Sequence, residues 1–256
     1  MQGGLPVSAA DQQHSNGSIE SPAEGVVRSR YPLRASKSGW KVVTRACEHL
    51  TQRDDRSTIT AMPQSSTRDK IIEAGIGLFL EKGYNGAGLK EILAVANVPK
   101  GSFYHFFDSK EDFGKAALLY YAQAFTPLLR QYLVDGEGSP LSRLNAFFEA
   151  MIYRFDQELD CKGGGLIGNF AQEMADSSQQ FRQVVASVMD DWKGYFVACL
   201  EQAQDAGELS RHLQVDALAE VLLNSWEGAL LKMKVVKTIA PLQDFLKVFF
   251  ELLNCP

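Results

Sequence analysis

A chain of 256 residues, 45% hydrophobic and 22% charged, is long enough for one or two buried cores and too apolar to be disordered throughout. Its net charge of −5 argues against a protein that coats nucleic acid generally, but leaves room for sequence-specific binding through a local patch. No apolar run approaches the roughly 18–20 residues that a membrane-spanning helix needs. Four widely spaced cysteines, Cys47, Cys161, Cys199 and Cys255, form no CxxC or Cys/His pattern and follow no secretory signal. A reducing cytoplasm, no metal site and no cofactor are the expectations.

Residues 1–61 mix Gly, Ser, Pro and Gln with scattered charge, eight basic against six acidic residues, and sustain no period of 3.6 or 2. They read as a solvated tail. A brief helix over Val42–Leu50 and a basic stretch from Arg28 to Lys41 able to touch DNA are its only features. Met62-Pro63-Gln64-Ser65-Ser66 is a short polar lead-in to the first amphipathic helix, so Met62 is read as the biological start. Mass spectrometry of the native N-terminal peptide tests this, and peptides from within residues 1–50 would refute it.

The segment from Gly88 to Phe113 is the most informative. Leu89, Ile92, Leu93 and Ala96 make one buried stripe of a helix over Leu89–Ala96, with Lys90 and Glu91 facing water. Asn97 tolerates the left-handed conformation that ends a helix, Val98 tucks into the corner, and Pro99 presets a second helix beginning near Lys100. That helix is about two turns long and must be held by Phe103 with Phe106 or Phe107. Lys100, Gly101, Ser102, Tyr104 and His105 lie at its N-terminal end, where a helix entering the major groove meets bases and backbone. Lys110, after Asp108-Ser109, is placed to clamp another phosphate. The competing reading is a helical hairpin whose aromatics only pack.

Residues from Thr67 to Phe113 resemble the N-terminal domain of the TetR family of transcriptional regulators. The likeness rests on the amphipathic first helix (Ile71, Ile72, Ala74, Leu78, Phe79), the Lys82-Gly83-Tyr84 exit, the Asn97-Val98 turn and the KGSFYHFF-SK segment. It implies an all-α fold: a three-helix helix-turn-helix DNA-binding domain over residues 66–113, then a helical ligand-binding and dimerisation domain over residues 114–256. By similarity, Lys100, Gly101 and Ser102 approach base edges while Tyr104 and Lys110 hold phosphates, with Lys90 and His105 beside them. Ala87-Gly88 stand where many members open the second helix with Thr-Thr, so a capping contact is lost or passes to backbone amides. Between Ser66 and Phe113 six basic residues face seven acidic ones, so attraction to DNA depends on placement.

Beyond this head the pattern stays helical. Helices are expected from Lys110 to about Leu133 with a kink near Pro127, over Leu141–Leu159, from Leu166 to about Ala175, over Phe181–Ala206, from Ala217 to about Val236 and over Leu242–Leu253. A literal GxGxxG at Gly163, Gly165 and Gly168 follows a helix and not a strand, so it reads as a flexible helix entry with room beneath the head for a ligand or for helix movement, not as a dinucleotide cradle. GGLIGNFAQEMAD resembles a C-terminal subtype of TetR regulators with GCLIGNLAQE-like sequence, some of which, including regulators of electrophile and aldehyde detoxification, carry a cysteine where Gly165 stands here. Cys161, four residues earlier, is read as buried and inert.

Phe125, Phe147, Met151, Phe155, Phe170, Met174, Trp192, Phe196 and Trp226 are candidate linings of an apolar cavity, with Lys193 and Glu227 as polar handles. The last two helices hold more apolar surface than one pair hides, and small Gly228 and Ala229 allow close approach. Trp226, Gly228, Ala229, Phe245 and Phe249 are therefore assigned to a two-fold interface. The partners expected are a palindromic double-stranded operator, a small-molecule inducer and a second copy of the chain, with no membrane. The alternatives are a helical enzyme, for which Ser102 and His105 lack an acidic orienter, and an interaction module without DNA binding.

Overall fold

The computed structural model describes residues 66–253, and the expectations for the first sixty-one residues, Met62, Cys47 and Cys255 lie outside them. Among the described residues there are nine α-helices and no strand: α1 (Thr67–Gly86), α2 (Leu89–Ala96), α3 (Lys100–Phe106), α4 (Lys110–Leu129), α5 (Pro140–Gln157), α6 (Leu166–Met174), α7 (Gln179–Asp205), α8 (Val215–Val236) and α9 (Ala240–Leu253). The GxGxxG segment therefore has no strand before it, and it is not a loose entry. Asn169 Nδ2 donates to Gly163 O at 3.0 Å, while Lys234 and Glu227 stand where side chains would otherwise project from Gly164, Gly165 and Gly168.

Ser66 opens α1 with a capping box, its hydroxyl accepting from Asp69 N at 3.1 Å. Ile71, Ile72 and Phe79 are fully buried and pack α1 against α2, α4 and α6. α2 has no side-chain cap, as Ala87-Gly88 foretell; Asn97 ends it at φ 53°, and Lys100 begins α3 directly after Pro99. Ser109 caps α4, accepting from Asp112 N at 3.0 Å. Pro127 sits inside α4, which runs on uninterrupted to Leu129 and passes into a π-helical turn over Arg130–Val134.

Two aromatic clusters organise the interior. The first joins the head to the body: Phe79, Tyr84, Phe103, Phe107 and Phe113 meet Phe170 of α6 and Phe181 of α7. The second lies in the body and links Phe125, Phe147, Phe148, Trp192, Phe196, Trp226 and Phe245. Ring pairs of this kind add about 0.5–1.5 kcal/mol each beyond burial, so both clusters hold helix positions firmly.

Candidate functional site

The short α3 cannot stand alone, and Phe103, fully buried, anchors it against Phe107 and Phe113 at ring-centroid distances of 5.3 and 5.6 Å. That pedestal turns the opposite face outward. Lys100, Gly101 and His105 are exposed, Tyr104 is 56% exposed, and Ser102 is half-buried. Lys90 is exposed on the first turn of α2, where its neighbour Glu91 is ion-paired with Lys82 of α1. The outward face thus offers one ammonium on α3, a phenol, an imidazole and a glycine without side-chain bulk, a set suited to phosphates and base edges.

Lys110 departs from its expected role. Its ammonium donates to the Tyr84 carbonyl at 2.6 Å and lies 4.5 Å from the Tyr84 ring centroid, and burial lowers its pKa against an opposing pull from Glu173. In this conformation its ammonium is engaged by the exit of α1. The residue that sequence reading missed is Glu173, near the end of α6. Gly83 breaks α1 at φ 76°, and the Glu173 carboxylate accepts from the freed amides of Tyr84 at 2.9 Å and Asn85 at 2.8 Å. A Cβ on Gly83 would stand 2.3 Å from that carboxylate, so only glycine permits the clasp. α6 is thereby tied to the exit of the head.

In the body, Phe125, Phe147, Met151, Phe155, Trp192, Phe196 and Trp226 belong to or border one cluster, and the Trp192 indole N–H is buried with no acceptor among the described residues. Phe170 and Met174 are buried in the same continuous core but lie apart from these ring contacts. Phe170 belongs to the head-facing cluster, 5.1 Å from Phe79, because the short α6 turns its apolar face toward α1. Lys193 is not a pocket handle either: Asp216 and Glu220 of α8 hold it at 3.2 and 3.4 Å.

Glu227 of α8 is a different case. Its half-buried carboxyl group lies beside the first turn of α6, where Cβ atoms on Gly165 or Gly168 would lie 2.8 and 2.5 Å from its Oε2. Burial pushes its pKa from 4.5 up to about 7. The folded chain therefore holds this proton more tightly than the unfolded one, and stability falls as pH rises from the ordinary carboxylate range through 7. Thermal melts across that range should show the decline, and Glu227→Gln should flatten it. Cys161 is buried with its thiol pKa raised by burial, in keeping with an inert thiol, and Cys199 is pushed up to about 11 while its Sγ approaches Pro140 O at 3.2 Å.

The proposed two-fold surface also needs revision in detail. Trp226 and Phe249 are each only 7% exposed and belong to the protomer's own core, while Phe245, half-buried, packs on Phe148 and Trp226. Gly228 stays open, and the outward apolar residues beside it are Val221, Leu231, Val235, Val248 and Leu252, exposed by 46–71%.

Residues 71–117 match the family model described as bacterial regulatory proteins, tetR family, and residues 140–249 match tetracyclin repressor-like, C-terminal domain. Over 192 residues the chain is 37% identical to the HTH-type transcriptional repressor DhaR of Mycobacterium sp. (strain GP1), spanning 75% of this chain and 94% of that protein. The transcriptional regulator AcuR of Cereibacter sphaeroides is 38% identical over 201 residues, 78% of this chain and 91% of its own length. Among crystal structures, regulatory protein TetR from Rhodobacter sphaeroides superposes with a TM-score of 0.69 at 38% identity, over 72% of this chain and 97% of that one. The reduced form of E. coli NemR does so with a TM-score of 0.69 at 31% identity, over 74% and 98% of the two chains.

Proposed function

The chain belongs to the TetR family of transcriptional regulators, and from that premise we propose that it is a cytoplasmic, homodimeric repressor released from a palindromic operator by a small-molecule inducer. The observation that carries this reading is the exposed N-terminal face of α3, with Lys100, Gly101, Tyr104 and His105 outward on a buried Phe103 pedestal. Ser102 and Lys90 complete the proposed DNA contacts; Lys110 is better assigned to the joint between head and body. The inducer is taken to act in the body, where the unpartnered Trp192 N–H lies in the aromatic cluster. The outward stripe on α8 and α9 is taken to meet its copy across a two-fold axis.

Two recognition helices bind together only when their separation matches half-sites about 34–36 Å apart. An inducer that favours another separation therefore lowers operator affinity, and operator lowers inducer affinity by the same factor. Sequencing of DNA fragments retained by the purified protein, followed by gel shift on the enriched site, tests the reading; retention of no preferred sequence overturns it. On that site Lys100→Ala should cost about 1–3 kcal/mol and relax preference at one position, because a base contact carries sequence information. Tyr104→Phe should weaken all sequences alike. Equal, sequence-independent losses would make Lys100 a phosphate contact.

A further inference from the structure

The Glu227 carboxyl group faces a cavity of about 200 Å³ between α6 and α8, bordered by Gly165, Gly168, Asn169, Leu230 and Leu231. No hydrogen-bond donor among the described residues meets it. The cation at the same cavity, Lys234, donates to Asn169 Oδ1 at 2.9 Å and not to Glu227. A half-buried carboxyl group set against two helices without a protein donor is free to accept from a ligand. Here two glycines replace side chains that would collide with it, so the fold makes room for the carboxyl group without supplying its partner.

We propose that this cavity is an effector site for a small primary ammonium compound, whose N–H groups bond to Glu227 while a short apolar body lies on Leu230 and Leu231. The volume corresponds to roughly seven water molecules, below the range of about 300–1,000 Å³ for drug-sized ligands, which limits the occupant to a small molecule. The carboxylate already at the first turn of α6 excludes an anion there. Charge-assisted bonds to a carboxylate are stronger than neutral ones, which favours an ammonium over an alcohol. The raised pKa adds a signature: near pH 7 part of Glu227 is protonated, and binding an ammonium must release that proton.

The site also has a route to the DNA-binding head. α6 carries Gly165 and Gly168 beside Glu227 at one end and Glu173, clasping Tyr84 and Asn85, at the other. A ligand that wedges the first end moves the second. The inference deepens the reading of the chain as a ligand-released repressor and rests on it for this last step only.

The test is calorimetry on the full chain with n-butylammonium, n-butanol and butyrate as matched probes. Saturable n-butylammonium binding should be at least about tenfold tighter than that of n-butanol, with butyrate inert and with proton release visible as a buffer-dependent heat. Glu227→Gln, and independently Gly168→Ala, which sets a methyl against the carboxyl group, should each abolish it while melts and oligomeric state hold. Absence of saturable n-butylammonium binding, or binding retained by Glu227→Gln in a folded protein, overturns the site. Binding that vanishes in both variants but leaves operator affinity of the unmodified protein unchanged supports the site and sinks its coupling to DNA.

Discussion

Gly228→Glu should yield a folded protein that is monomeric in light scattering and loses about 10²–10⁴-fold in affinity for a palindromic operator, the factor that simultaneous engagement of two half-sites supplies. The protomer itself tolerates the change, since nothing lies within 4 Å of a Cβ at Gly228 and a helical interior position favours almost any residue over glycine. The proposed dimer does not. Two-fold symmetry brings two copies of the new carboxylate into an apolar contact formed by Val221 and Val235 of α8 and Val248 and Leu252 of α9, each charge without a partner. Affinity for an isolated half-site should be unaltered, because α3 and its aromatic pedestal lie elsewhere. A variant that remains dimeric and binds the palindrome normally would move the interface off this face.

The outlines of this molecule are legible in its sequence because helices are specified locally. The stripe Leu89, Ile92, Leu93, Ala96 and the signals Asn97 and Pro99 place α2 and the start of α3, and the later helices begin within about two residues of where their apolar periodicity starts. What periodicity does not carry is which of two adjacent apolar stripes faces inward. α8 buries Ala219, Leu222, Leu223, Trp226, Leu230 and Met233 while Val221, Leu231 and Val235 remain outside, so the large aromatics that look suited to an interface are spent within the protomer. Contacts made across the chain are harder still. Glu173 meets Tyr84 and Asn85 from 88 to 89 residues away, and only the freed amides after Gly83 hint that an acceptor must come from somewhere. Glu227 is visible as an acid on an apolar helix, but its cavity depends on the glycines of α6 packing opposite it.

Lys110→Ala should weaken operator binding while leaving its salt dependence unchanged, and this separates a joint between head and body from a phosphate clamp. A phosphate contact releases counterions, so removing one lowers the salt slope by about one unit. Lys110 instead holds Tyr84 by its carbonyl, at 2.6 Å, while Glu173 holds the same residue by its amide, at 2.9 Å. Glu173→Ala leaves the part-buried Tyr84 N–H without an acceptor, for a cost of about 1–3 kcal/mol in thermal or denaturant unfolding. Its larger effect should fall on coupling, since α6 then loses its grip on the exit of α1 and the head no longer follows the body. Because both side chains act on one residue, the double variant should be less damaging than the sum of the single ones, by about 0.5–3 kcal/mol. Additive losses together with a salt slope reduced in Lys110→Ala would return Lys110 to the DNA and leave Glu173 as a helix cap with no part in transmission.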